Sequence, residues 1–275
     1  MLSTSQLANA DVLQVKTFEA ILTELLTIVD GLVPDYQPLE SDPYMLLTEA
    51  YSWRELHLRK EFNNKLKSLL LHFAKGNNLD LIGNDRYNVE RLDGEKDEPY
   101  LDRILASLDG YSTAGSLESY EYHARSVSAI IDDAKAVSPE KGVIDVYIAS
   151  YNNDITDELV NQVINAVSAK KVRPITDEVH VKIATPKLVT IDAAIELEDI
   201  NTQEAAQAEI ENNFAGTFKI HQALPFSDVM TKLKVTGVYD ALPTAPTQTV
   251  KCETGERIVI EAFNLSFTQA ESEDV

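Results

Sequence analysis

Apolar residues recur at three- and four-residue steps through the first third of the chain. Over Thr17–Asp30 they are Phe18, Ile21, Leu22, Leu25, Leu26, Ile28 and Val29, a single stripe that predicts an amphipathic helix. Gly31 is expected at its C′ position, and Pro34 prevents continuation. A second helix is expected to start at Pro43. Asp42 can accept from an early backbone N–H, and a proline at the first helical position has no needed donor to lose. No glycine or proline follows until Gly76. That allows a helix of roughly 33 residues, about 50 Å long. One face of it carries Leu47, Tyr51, Leu58, Phe62, Leu66, Leu69, Leu70 and Phe73. So long a helix exceeds what a small domain needs.

Short elements follow. Leu79–Gly83 reads as one closing turn, and the acid-rich stretch Asp80–Asp102 as a solvated loop. Asp97 can cap a helix bearing Tyr100, Ile104, Leu105 and Leu108, with Gly110 ending it in a left-handed C′ conformation. Ser112 or Thr113 is expected to cap the next helix, Ser116–Arg125, with Gly115 in its first turn. The segment from Gly110 to Gly115 reads as a tight helix–helix turn.

Beyond Val127 the period changes from 3.6 to 2. Val143–Ser150 is partly apolar on both faces, as in a strand covered on both sides, and Pro139–Gly142 makes a hairpin with the strand before it. Thr156–Lys170 predicts a helix, and Val179–Ala184 and Leu188–Leu197 strands. Thr202–Phe218 and Asp228–Leu233 predict helices, the second capped by Ser227. Gly237–Ala241 and Arg257–Phe267 predict the final strands, and Pro243–Val250 a loop. The expected fold is α+β: an N-terminal helical domain over 1–126, two small tandem α/β modules over 127–186 and 187–268, and an acidic tail, 269–275.

Charge narrows the partners. Lys and Arg total 24 against 45 Asp and Glu, a net −21 with pI near 4.5. Such a surface repels phosphates, which argues against binding nucleic acid or an anionic membrane; tight partners should bring basic patches. The exception is Arg54–Lys75, where Arg54, Arg59, Lys60, Lys65, Lys67 and Lys75 outweigh Glu55 and Glu61. Pairs such as Glu55–Arg59 would make this a solvated face; alternatively its cations meet acids of another chain. One cysteine, Cys252, excludes an internal disulfide framework. The N-terminal stretch has no basic region and no run long enough to span a membrane, so an intracellular product is expected.

Candidate chemistry is sparse. No glycine-rich phosphate cradle is present. Gly110–Gly115 has a serine at Ser112, but the spacing differs from a nucleophile elbow. His57, His72, His123, His180 and His221 show no metal-ligand spacing. No catalytic, cofactor or metal set is expected.

The order of motifs from Asp42 to about Ile148 resembles the baseplate J-like family, inner wedge proteins of contractile phage tails and R-type bacteriocins. It begins with Asp42-Pro43, Leu47, Ala50, Arg54, Asn63 and Leu69–Leu71. Ala74-Lys75-Gly76 through Leu79-Asp80 and Gly83 follows, then Asp97 and Tyr100–Ile104. Ser112–Ser116, Tyr120, Ala124, Ser138-Pro139, Gly142 and Val146 complete it. The family commonly has a small or polar residue where Lys75 stands. The resemblance implies a structural subunit, not an enzyme and without cofactors, in the virion tail baseplate and assembled in the bacterial cytoplasm. It implies pairing with a second copy and a fibre-linking wedge protein through a helical bundle. The bundle residues would be Leu47, Tyr51, Arg54, Leu58, Phe62, Leu66, Leu69 and Phe73. A lysozyme-like wedge protein and neighbouring wedges, joined through the α/β modules into a ring that dilates, are further implied partners; such dilation would make Gly110 and Gly115 candidate hinge residues, a tight turn without motion being the plainer account. The alternatives are a cytosolic enzyme or ligand-binding protein with a site between the modules, and a helical adaptor or chaperone.

Overall fold

The structure, a computed structural model, describes residues 15–33, 37, 39, 42–110, 115–152, 154–216 and 218–270. The candidate caps Ser112 and Thr113 and the acidic residues 271–275 lie outside the described residues. The fold is α+β, with eight α-helices and six strands in two three-stranded mixed sheets among the described residues. It divides into two compact units, 1–91 and 92–275.

In the first unit α1 (Phe18–Leu32) starts at Thr17, whose hydroxyl accepts from the Ala20 N–H at 3.2 Å. It runs through Gly31, which is helical rather than at C′. The long helix α2 (Pro43–Lys67) has the expected Asp42 cap on Tyr44. It stops after 25 residues, well short of Gly76. Tighter i−3 bonds from Leu69 and Leu70 close its last turn, and a short 3-10 turn, Leu71–Phe73, follows. Absence of breakers permits a helix but does not compel one.

α3 (Asn77–Tyr87) replaces the closing turn and part of the expected solvated loop. Its Asn, Asp and Gly residues are weak helix formers. Burial of Leu79, Ile82 and Gly83 outweighs that preference, and Asn88 ends the helix in the left-handed conformation at φ 53°. Arg91 pairs with Asp80 of this helix at 2.6 Å.

In the second unit α4 (Asp97–Gly110) and α5 (Leu117–Arg125) lead into the first sheet, β1 (Ile131–Glu140), β2 (Val143–Ser150) and β3 (Glu178–Ile183). β2 is central, antiparallel to β1 and parallel to β3. It is buried on both faces, and the crossover to β3 carries α6 (Asp157–Val167). Tyr120 and Ala124 of α5 belong to the core of this sheet, with Val146, Ile148, Val163 and Val167. The second sheet comprises β4 (Thr185–Leu197), β5 (Val238–Ala245) and β6 (Glu256–Gln269), covered by α7 (Gln203–Phe214) and α8 (Phe226–Leu233). β4 is central, antiparallel to β5 and parallel to β6. The central strand is thus the second of the first sheet but the first of the second, so the two sheets do not repeat one topology.

Two local expectations fail here. β5 extends through Pro243, expected in a loop. As an edge strand it has one unpaired side, where a missing N–H costs nothing. α8 starts at Phe226 with Pro225 at the N-cap, so Ser227 lies inside the first turn instead of capping it.

Candidate assembly surfaces

The site residues expected on the long helix all fall outside its buried face. Within its own unit α2 buries Thr48, Ser52, Leu56 and Asn63. Thr48 and Ser52 turn their hydroxyls back onto the carbonyls of Tyr44 and Thr48, at 2.7 and 2.8 Å, which satisfies them without a partner chain. α1 packs against α2, with Ile21 fully buried and Phe18 stacked on Trp53 at 4.7 Å. The larger apolar residues turn away. Leu47, Tyr51, Leu58 and Phe62 are 46–66% exposed and follow one another at helical spacing, with exposed Arg54 among them. Leu66 and Phe73 are half-buried; Leu69 is exposed. Leu69 and Phe73 lie beyond the end of α2, so they continue the stripe in sequence but not on one straight helix. Glu55 and Arg59 pair at 2.6 Å, as the i,i+4 spacing suggests.

The two candidate hinge glycines are held differently from expectation. Gly110 is the last residue of α4, without positive φ, so it is not a left-handed cap. What requires glycine there is space: a Cβ would lie 2.3 Å from the Tyr122 ring. His123 sits within 3.3 Å of the Gly110 carbonyl, and burial pulls its imidazole below the usual range. The positive φ falls at Gly115, +68°, before the N-cap Ser116 and not within the helix. A Cβ there would meet Pro174 at 2.4 Å. Gly110→Ala is expected to destabilise the fold by about 1–3 kcal/mol through this overpacking. Tyr122→Ala should relieve most of the added cost, and thermal unfolding of the single and double variants checks it.

Where the two sheets meet, the chain joins them tightly. Arg257 at the start of β6 makes a two-pronged pair with Asp132 of β1, at 2.6 and 2.8 Å, and contacts the Ser150 carbonyl at 3.3 Å. The Thr185 N–H donates to the Gly255 carbonyl at 2.9 Å, and the Ile220 N–H to Asp133 Oδ2 at 2.6 Å. Beside this junction lies an open cavity of about 550 Å³, mainly apolar, lined among others by Leu188, Phe214, Phe218, Val259 and Phe263. Its guanidinium, Arg257, is committed to Asp132. Glu211 is the other charged group in the lining.

Perturbed titrations in the second unit have structural causes. Burial holds the Asp133 carboxyl above the usual range, although Arg125 and Lys219 pull the other way. Burial likewise raises the Cys252 thiol, and burial with the Asp177 hydrogen bond raises the Tyr120 phenol. A carboxyl raised on folding is penalised when ionised. The penalty is full above its folded pKa and vanishes below the unfolded value near 4. Asp133→Asn keeps an oxygen to accept from Ile220 and is therefore expected to stabilise the protein at neutral pH. The gain should disappear at about pH 3, as urea titrations at both pH values would show.

Among the described residues no group of three His, Cys, Asp or Glu could hold a metal ion, and no helix is long and apolar enough to cross a membrane. His57 and Asp102 are exposed on separate helices, α2 and α4.

The first unit thus carries an exposed apolar helix surface, and the second two linked mixed sheets. Residues 40–94 match the Baseplate J-like N-terminal domain, and residues 112–183 the Baseplate J-like central domain. Two stretches of the chain thus carry consecutive domains of the baseplate J-like family, in the order the family has them. The chain is similar to "Baseplate protein J" of Escherichia phage P2, at 29% identity over 90% of this chain and 91% of that relative. The N-terminal match ends close to the division between the compact units, and the central match ends with β3.

Proposed function

We propose that the chain is a structural subunit of a contractile tail baseplate wedge, located in the virion tail and assembled in the bacterial cytoplasm. It pairs with a second copy and with a fibre-linking wedge protein. The wedges join through the strand-bearing part into a ring around the hub, where a lysozyme-like wedge protein is a further neighbour. The coarse role, a baseplate protein of a phage tail, rests on the family and its relative in phage P2. The finer reading is carried by one observation: Leu47, Tyr51, Leu58 and Phe62 stay exposed while α2 buries a single large apolar residue, Leu56, with Thr48, Ser52 and Asn63 within its own unit. Large apolar side chains aligned on one helix face mark an interaction surface.

Electrostatics adds an expectation. Arg54, Lys60 and Lys65 are exposed on α2 in a chain of net charge −21. Bundle partners meeting this helix should bring acids, and partners meeting the rest should bring bases. The association rate with the fibre-linking protein should then fall as ionic strength rises, since exposed charges are screened within about 8 Å at physiological salt. Stopped-flow mixing with the fibre-linking protein over a salt series tests it, and salt-independent rates would count against the reading.

Gly110 and Gly115 stay as candidates for absorbing rotation when the ring dilates. Such a rotation would lift Tyr122 from Gly110 and Pro174 from Gly115. Dihedral angles compared between extended and contracted particles would show it. The alternative ligand-binding reading has the junction cavity in its favour. That cavity, however, is mainly apolar and its cation is already paired, so it suits packing better than acid–base chemistry.

A further inference from the structure

We propose that the outer edge of β6, from Ala262 to Gln269, pairs antiparallel with the same edge of a second copy, centred on Leu265, to make one sheet across two chains. This rests on the reading of the chain as a ring subunit and names the strand that would join neighbours.

Edge strands carry unpaired N–H and C=O groups, and proteins blunt them with charge, proline or bulges. Three of the four edges here are blunted so. β1 carries Asp132, Asp133, Lys135, Pro139 and Glu140. β3 alternates Glu178, His180 and Lys182. β5 contains Asp240 and Pro243. β6 differs. Its early part is charged, and its ladder with β4 slips between Ile260 and Ala262, leaving Glu261 as a bulge. Beyond the bulge the register with β4 is regular from Ala262 to Gln269, and no charged residue or proline occurs. Among the described residues no strand covers the other side.

The occupant follows from charge and pattern. Two chains of net −21 repel each other over most of their surface, so self-association needs a neutral contact. This edge is neutral. Its sequence, Phe263-Asn264-Leu265-Ser266-Phe267, also reads alike in both directions. A two-fold axis through Leu265 sets Phe263 opposite Phe267 on the face that packs against the core. It sets Asn264 opposite Ser266 on the exposed face. The same patch is thus its own complement. One strand pair buries less than the roughly 1,200 Å² of a standard stable interface, so pairing is weak between free chains and strengthens among copies held together.

The test uses the full chain in sedimentation equilibrium over a concentration series, at low and high salt, with hydrogen exchange of residues 262–269. Association is expected to strengthen with salt, as repulsion between like chains is screened, and to protect these amides. N264K/S266K places lysine opposite lysine twice and should weaken association about tenfold. N264K/S266E places opposite charges there and should restore it. Both variants keep a donor near Asp192, which Asn264 contacts at 2.8 Å, and circular dichroism checks their fold. Chains that stay monomeric at every concentration would overturn the edge proposal. So would a dimer indifferent to N264K/S266K but lost with Phe62→Glu on α2; that outcome would leave helix-mediated pairing standing.

Discussion

Leu58→Ala and Phe62→Ala together should cut assembly with wedge partners about a thousandfold while leaving the chain folded. Each side chain is about half exposed in the chain alone, 46% and 48%, so truncation removes little of its own core. Alanine is also the best helix former, so α2 itself is not weakened. In a bundle each would be fully covered. Central interface residues of this size contribute about 2 kcal/mol or more, and two together on the order of 4 kcal/mol, which is the thousandfold. Leu66→Ala is a less clean probe: Leu66 is already half-buried, so it should weaken folding and assembly together. Unfolding measured on the isolated chain, beside co-purification with the fibre-linking protein, separates the two effects. Wild-type assembly by the double variant would remove α2 from the interface.

Arg257→Met should destabilise the second unit by about 3 kcal/mol, a fall in Tm of roughly 10 °C. The Arg257 side chain is 8% exposed and that of Asp132 22%. Removing the cation leaves a poorly solvated carboxylate and an unmet Ser150 carbonyl contact. The cost should come mostly from that orphaned charge and not from the lost attraction. Asp132→Leu combined with Arg257→Met should therefore recover much of the loss, because well-packed apolar groups replace buried ion pairs at little cost. Calorimetry of the two single variants and the double decides it. A double variant as unstable as the single ones would show that the lost attraction, and not the burial of one unpaired charge, carries the cost; additive losses would show that the two side chains do not couple.

The legible parts of this protein were those in which local chemistry and tertiary demand agree. Asp42-Pro43 starts a helix wherever it sits, and the switch from a 3.6 to a 2 period marks where strands begin. The helix expected from Thr156 is α6, and β2 shows its double burial in apolar residues on both faces. The family was legible too, since its motifs are local turns and caps in a fixed order.

Other features depend on distant partners. α3 forms from poor helix formers because Leu79 and Ile82 find a core, which no window of neighbouring residues reveals. α2 ends at Lys67 although nothing in the sequence forbids it to continue. Gly110 was readable as a special residue, but its reason, the Tyr122 ring 2.3 Å from a would-be Cβ, lies on the next helix. Arg257 and Asp132 are 125 positions apart, and only folding makes them a pair. The pattern along the chain carried the fold class, the resemblance to the baseplate J-like family and an apolar stripe on the long helix. The tertiary structure alone decided which face of that helix the chain covers for itself, and which sheet edge it leaves unblunted, because burial and strand order are properties of contacts between segments far apart in the chain.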